Sequence, residues 1–155
     1  MKKSLTITYK REALVDISDP QILSLIQTVR AALSDSYSPY SKFQVAASAV
    51  LSSGQIVSGS NQENAAFPSC LCAEQITLAS ALAQYPGQTV TRLIVTTSSE
   101  QTDPAAPCGN CRQVISEIEY RQQTPLELML LSKTHLITVD SASTLLPMGF
   151  ERGHF

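Results

Sequence analysis

Two short cysteine motifs constrain this chain more than any other feature in it. Cys72-Ala73-Glu74 stands near the middle, and Pro107-Cys108-Gly109-Asn110-Cys111-Arg112-Gln113 lies well downstream. Helix-forming residues follow each motif, so Cys72 is expected to open one helix and Cys108 and Cys111 to straddle the start of another. Free N–H groups and the positive dipole end at a helix start favour thiolate over thiol. Two such starts converging would gather three thiolates around one ion, a donor set that suits zinc. Three thiolates leave one vertex of a tetrahedral zinc for water, and an open vertex separates a catalytic zinc from a structural one. Glu74, close to a ligand in the same first turn, is placed to carry that water's proton without binding the metal.

Two other uses of these cysteines stay open. Cys70 as a fourth ligand would make Cys70-x-Cys72 and Cys108-x-x-Cys111 a closed structural site, leaving Glu74 without a role. A redox dithiol at Cys108 and Cys111 has suitable spacing but leaves Cys72-Ala73-Glu74 unexplained. Outside those cases Cys70 reads as a buried or spare thiol. His135 and His154 lack ligand spacing to the cysteines and read as surface or loop residues.

The remaining bounds are ordinary. A chain of 155 residues suits one domain, taken here as 1–155, and 43% hydrophobic content argues for a folded protein. The net charge is −2 and the 11 Lys and Arg are scattered, so no basic stripe exists to follow a phosphate backbone and no long nucleic acid is expected as partner. Met1-Lys2-Lys3 is followed by no apolar h-region, and no stretch approaches a membrane span. A cytoplasmic protein with reduced thiols and no membrane partner is the expectation.

Helix and strand signals alternate. Leu5–Tyr9 reads as a short edge strand. Asp19-Pro20 is an N-cap with proline at the first helical position, and the apolar period Ile22, Leu25, Ile26, Val29, Leu33 runs to Ser34. Phe43–Leu51 and Gln55–Gly59 flank the turn Ser52-Ser53-Gly54 as a hairpin. A loop at 61–69, a helix at 73–85, a strand at 93–97 and a helix at 109–120 follow. Strands at 126–131 and 136–139 and a short helix at 141–146 complete the pattern. Such alternation predicts an α/β fold with helices packed on one mixed sheet.

At these residues the sequence resembles the cytidine deaminase family, in its small homotetrameric type with three cysteine ligands. Ser38-Pro39-Tyr40-Ser41-Lys42-Phe43, Gly59-Ser60-Asn61-Gln62-Glu63-Asn64-Ala65, the two cysteine motifs, and Leu145-Leu146-Pro147-x-x-Phe150 occur in the family's order. The resemblance implies a three-layer α-β-α sandwich around a mixed five-stranded sheet, and one Zn²⁺ per chain held by Cys72, Cys108 and Cys111. It implies hydrolytic deamination of cytidine and 2′-deoxycytidine to the uridines plus ammonia, in pyrimidine salvage, with Glu74 as the proton shuttle. Asn61 and Glu63 would hydrogen-bond the ribose, and Phe43 would pack on the pyrimidine. The backbone of Ala73 and the carbonyl of Pro107 would read the base edge, and Phe150 would reach a neighbouring subunit's site in a homotetramer.

The chain departs from the family pattern in places. Gln75 stands where the cysteine-ligand type carries an arginine that offsets the negative charge of three thiolates on zinc. Gln75 can donate a hydrogen bond but adds no charge, which leaves Arg112, beside Gln113 in the downstream motif, and the helix starts to compensate. Gln44 and Ala46 replace a proline and a glycine beside Phe43. Two further readings follow: the same chemistry on another aminopyrimidine such as a blasticidin S-like nucleoside antibiotic, or a zinc-stabilised binding module without turnover.

Overall fold

The first helix forms where its capping signals stand. The side chain of Asp19 accepts from the Gln21 N–H at 2.8 Å, Pro20 occupies the first turn, and α1 runs Pro20–Ala31. The apolar period continues to Leu33, but the chain tightens into a 3₁₀ turn at Ala32–Asp35 rather than extending the α-helix to Ser34. These features belong to a computed structural model that describes Lys2 and residues 4–150, so His154 lies outside the described residues.

Strands β1 (Lys10–Ala13), β2 (Val45–Leu51), β3 (Ile56–Ser60), β4 (Val90–Thr97), β5 (Glu127–Leu131) and β6 (His135–Val139) form one sheet in the order β1-β6-β5-β4-β2-β3. The hairpin β2–β3 turns at Gly54, whose φ of +86° suits a residue without a Cβ. Among the strands of the described residues only β4 and β5 pair in parallel, and the long crossover between them contains α3 (Gly109–Gln122). Among the described residues the sheet has six strands, not the expected five. The extra one is the edge strand, displaced from Leu5–Tyr9 to Lys10–Ala13, where it pairs Lys10 with Thr138 and Ala13 with His135. Alternation at Leu5, Ile7 and Tyr9 mimics a strand, yet these side chains are exposed and strand formation follows the reach of β6.

Adjacent residues of the central strands point to opposite faces, and the two cores divide accordingly. Ala46, Ile94, Met129 and Leu131 meet Leu25, Ile26 and Val29 of α1 on one face. Ala47, Ala49, Leu93, Val95, Leu128 and Leu130 meet α2 (Ala73–Gln84) and α3 on the other, through Leu78, Ala81, Ile115 and Ile118. The result is the expected three-layer α-β-α arrangement. Fully burying a leucine such as Leu78 contributes about 1.5–3 kcal/mol, so α2 is held mainly by this face. Thr77 Oγ1 donates to the Ala47 carbonyl at 3.1 Å, and a Cβ built on Gly59 would lie 2.8 Å from that hydroxyl oxygen. Helix α2 thus sits on β2 and β3 with no room for a side chain at position 59.

Candidate active site

Cys72 is the N-cap of α2, and Cys108 is the N-cap of α3. Cys111 lies in the first turn of α3, buried at 1% exposure. The Sγ atoms of Cys72, Cys108 and Cys111 all lie within 4.8 Å of one another. Tetrahedral zinc with sulfur at about 2.3 Å separates its ligands by about 3.8 Å, so the donor set fits the ion. Cys70 is engaged elsewhere: its Sγ accepts from the Asn64 N–H at 3.2 Å and faces the Asn64 carbonyl at 3.7 Å. The four-thiolate alternative has no support in this geometry.

The electrostatics of the cluster favour a cation. Burial raises the Cys108 thiol, but the N–H groups of Cys111 and Asn110 and the neighbouring thiols outweigh it and bring Cys108 below its ordinary value. Burial pushes Cys72 up, and the charges of Cys108 and Glu74 push it further. Cys111 is driven far up by burial first and then by the charges of Glu74 and Cys72. One thiolate is favoured by its helix start, while the other two resist ionising in its company. A divalent cation on the three sulfurs relieves that conflict.

Glu74 is 5% exposed. Burial raises its carboxyl, opposed by hydrogen bonds from its own N–H and from the Cys111 thiol. Such a carboxyl holds a proton more readily near neutral pH than a surface acid does. It lines a cavity of about 300 Å³, at the small end for ligand pockets. Phe43, Asn61, Glu63, Cys72, Ala73 and Cys108 line the same cavity. Seven residues expected to act in catalysis, metal binding or substrate binding therefore share one concavity, and Cys70 stands on its wall as well.

Two of these seven already hold structure. Asn61 Oδ1 accepts from Ser36 Oγ at 2.5 Å and from the Val45 N–H at 2.8 Å, while its Nδ2 donates to the Phe43 carbonyl at 3.0 Å. Glu63 Oε2 accepts from the N–H groups of Tyr40 (2.9 Å) and Ser41 (3.3 Å), and Oε1 accepts from the Ser41 hydroxyl. That hydroxyl bond leads the causes that hold Glu63 below its ordinary value. Both side chains brace the loop carrying Phe43, with the hydroxyls of Ser36, which the sequence reading did not single out, and Ser41, which it took only as part of a motif. Backbone donors leave no sequence signature that could have shown this.

The remaining expected residues lie around the cavity or away from it. Pro107 is buried, and its carbonyl accepts from Arg112 Nε at 2.8 Å. Arg112 also donates from Nη1 to the Leu145 carbonyl at 3.0 Å, so its charge is directed at carbonyls and not at sulfur. Gln75, Gln113 and Phe150 line a larger hollow of about 780 Å³ between α2 and α3. That hollow is lined by none of the cysteines and not by Glu74.

The family model for the cytidine and deoxycytidylate deaminase zinc-binding region matches residues 20–124. The chain belongs to the cytidine and deoxycytidylate deaminase family. Among its deaminase relatives, cytidine deaminase from Halalkalibacterium halodurans is 35% identical over 94 residues, 61% of this chain and 69% of the relative. The cytidine deaminase of Sporosarcina psychrophila is 38% identical over 93 residues, covering 60% of this chain and 66% of the relative. The crystal structure of the cytidine deaminase from Burkholderia pseudomallei superposes with a TM-score of 0.71 at 39% identity, over 83% of this chain and 98% of that one. The matched zinc-binding region contains the cysteine cluster described above.

Proposed function

We propose that this chain catalyses the hydrolytic deamination of cytidine and 2′-deoxycytidine to uridine and 2′-deoxyuridine plus ammonia, in pyrimidine salvage. The observation that carries the proposal is the buried Glu74 with three sulfurs within 4.8 Å of one another, Glu74, Cys72 and Cys108 lining one cavity. Cys72, Cys108 and Cys111 would hold the zinc. When bound there, zinc supplies a water acidified enough to act as a nucleophile near neutral pH. The Glu74 carboxylate takes up the proton given up as the nucleophile attacks C4 and passes it to ring N3. It then takes the remaining proton of the hydroxyl added at C4 and gives it to the amine, which leaves as ammonia as the C4–N bond breaks and the C4 carbonyl forms. One carboxylate serves as base and acid in turn because burial raises its affinity for a proton above that of a surface acid.

The chain's other groups orient the nucleoside. Asn61 retains one amide hydrogen and Glu63 one acceptor position beyond the bonds already made, enough to meet ribose hydroxyls. Phe43, 42% exposed at the cavity, offers a face to the pyrimidine. The Ala73 backbone and the Pro107 carbonyl read the base edge, the latter oriented by Arg112. Among the described residues no lysine or arginine lines the cavity while Glu63 and Glu74 do, which favours an uncharged nucleoside over a 5′-phosphate.

Among the described residues no helix is long and apolar enough to cross a membrane. A cytoplasmic setting, where the four free cysteines stay reduced, is part of the proposal. So is a homotetramer in which Phe150, 60% exposed on the α2–α3 hollow, closes a neighbour's site. Zinc content followed by ammonia release from cytidine, 2′-deoxycytidine, cytidine 5′-phosphate, cytosine and blasticidin S tests the activity. Turnover of the two nucleosides is expected, and turnover confined to any of the others overturns the substrate assignment. Sedimentation tests the assembly. Mixing Phe150→Ala with Glu74→Gln subunits should restore activity above the average of the two if Phe150 crosses between chains.

A further inference from the structure

Three side chains of α3 reach the same downstream segment. Glu119 is a carboxylate only 8% exposed, and the deamination mechanism has no use for it. Its Oε1 accepts from the N–H groups of Leu126 at 2.6 Å and Ala142 at 3.0 Å. Its Oε2 accepts from the Ser143 N–H at 2.9 Å and the Ser141 hydroxyl at 3.0 Å. About two turns earlier on the helix, Arg112 donates from Nη1 to the Leu145 carbonyl at 3.0 Å. Next to it, Gln113 exchanges two hydrogen bonds with the backbone of Phe150, at 2.8 and 3.2 Å. The segment 141–150 is thus seated at its start, middle and end by one helix.

A buried carboxylate surrounded by neutral donors is expensive unless each lone pair is used, and here the partners are all in place. The position also gains nothing from the helix itself, because a negative charge in the last turns opposes the peptide dipole. What it does is fix where the backbone runs from Ser141 to Leu145. That backbone presents the Leu145 carbonyl to Arg112, and the other side of the same guanidinium holds the Pro107 carbonyl at 2.8 Å. Pro107 is the residue that leads into Cys108.

We infer that Glu119 is a positioning residue for the metal-holding loop, acting through the path Glu119, residues 141–145, Arg112 and Pro107 to Cys108. This rests on reading Cys72, Cys108 and Cys111 as the zinc ligands. The carboxylate touches neither substrate nor metal. It fixes the far end of the guanidinium, so that the peptide entering Cys108 has one orientation and the sulfur one place. Losing it frees Leu145, lets Arg112 swing, and loosens the approach to the ligand.

The test follows zinc transfer from the loaded full-length chain to excess chromogenic chelator, with no substrate present. Glu119→Gln and Arg112→Lys should each speed transfer about tenfold, the low end for groups that orient a metal ligand. The double variant should be no faster than the faster single, because both act on one path. Val29→Ala, on α1 across the sheet, serves as a control for general loss of stability and should transfer at close to the wild-type rate. If Glu119→Gln does not fold, Ser141→Ala, which deletes one of the four donors, should still speed transfer about threefold. Transfer from the position-119 or position-141 variant at the rate of Val29→Ala overturns the inference, as does a double variant equal to the product of the singles. A chain that holds zinc but deaminates no nucleoside sinks the proposed activity alone, because the transfer rates still decide the role of Glu119. A chain that binds no zinc overturns both.

Discussion

The two sides of the cavity are built by different physics. On the chemical side, Cys72, Cys108, Cys111 and Glu74 stand at the starts of α2 and α3, whose inner faces are fixed in the core by Leu78, Ala81, Ile115 and Ile118. On the opposite side the loop from Ser36 to Phe43 has no regular secondary structure and keeps its shape through polar bonds to Asn61 and Glu63. Helix starts fix positions to the precision of a packed core, as a proton transfer requires. A loop tied by hydrogen bonds can yield, as entry and release of a small molecule require. Substitutions on the first side should change the rate of the chemical step, and those on the second should change affinity and stability.

The sharpest way to break this contrast is Glu74→Gln. Turnover should fall by about 10²- to 10⁴-fold with zinc content and KM little changed, measured by ammonia release and metal analysis. A large rise in KM with turnover preserved would erase the distinction between the sides. Next in size is Asn61→Ala, which strands the Val45 N–H and the Phe43 carbonyl and leaves the Ser36 hydroxyl only its longer bond to Ser38. Urea unfolding should show a loss of about 1–3 kcal/mol, and KM should rise by more than kcat falls. If kcat alone drops, the loop side takes part in the chemistry.

A smaller effect belongs to Glu63. Its carboxyl sits below the ordinary value of 4.5 in the folded state, so the bonds it makes stabilise the fold above that value and are lost as pH falls through the lower folded one. The stability difference between wild type and Glu63→Gln should therefore be constant from neutral pH down to that region and then shrink on further acidification. A difference that grows with acid would reverse the assigned direction. Smallest of all is Cys70→Ser, expected to keep one zinc per chain and to shift stability by no more than about 0.5 kcal/mol. Loss of zinc with Cys70 would move that residue from the loop side to the metal.

What was legible in the sequence follows the same division. The starts of α1, α2 and α3 were readable because an N-cap, a proline or a cysteine motif acts within a few residues of itself. The cysteines could be grouped because zinc chemistry restricts ligand spacing. Leu5–Tyr9 misled because alternation states which residues could form a strand, while β6 decides which of them pair. The engagement of Asn61 and Glu63 by loop backbone was hidden, since any residue can donate a backbone N–H. Glu119 was hidden as well. An acid late in a helix reads as solvated, and its donors at Leu126 and Ser141–Ser143 lie beyond the end of that helix.

Gly59 carries a consequence for how this chain tolerates variation. It lies in an edge strand, is partly open to solvent and lines no part of the cavity that holds Glu74, so surveys of exposure would rank it permissive. Yet the space a methyl group would need is taken by Thr77 Oγ1 at 2.8 Å and Ile76 Cγ2 at 3.0 Å. Even alanine there must displace the Thr77 hydroxyl from the Ala47 carbonyl or shift the helix whose first residues are Ala73 and Glu74. In a library of random variants, position 59 should behave as an active-site position in disguise, yielding alleles that accumulate as folded protein and fail in selection for growth on cytidine.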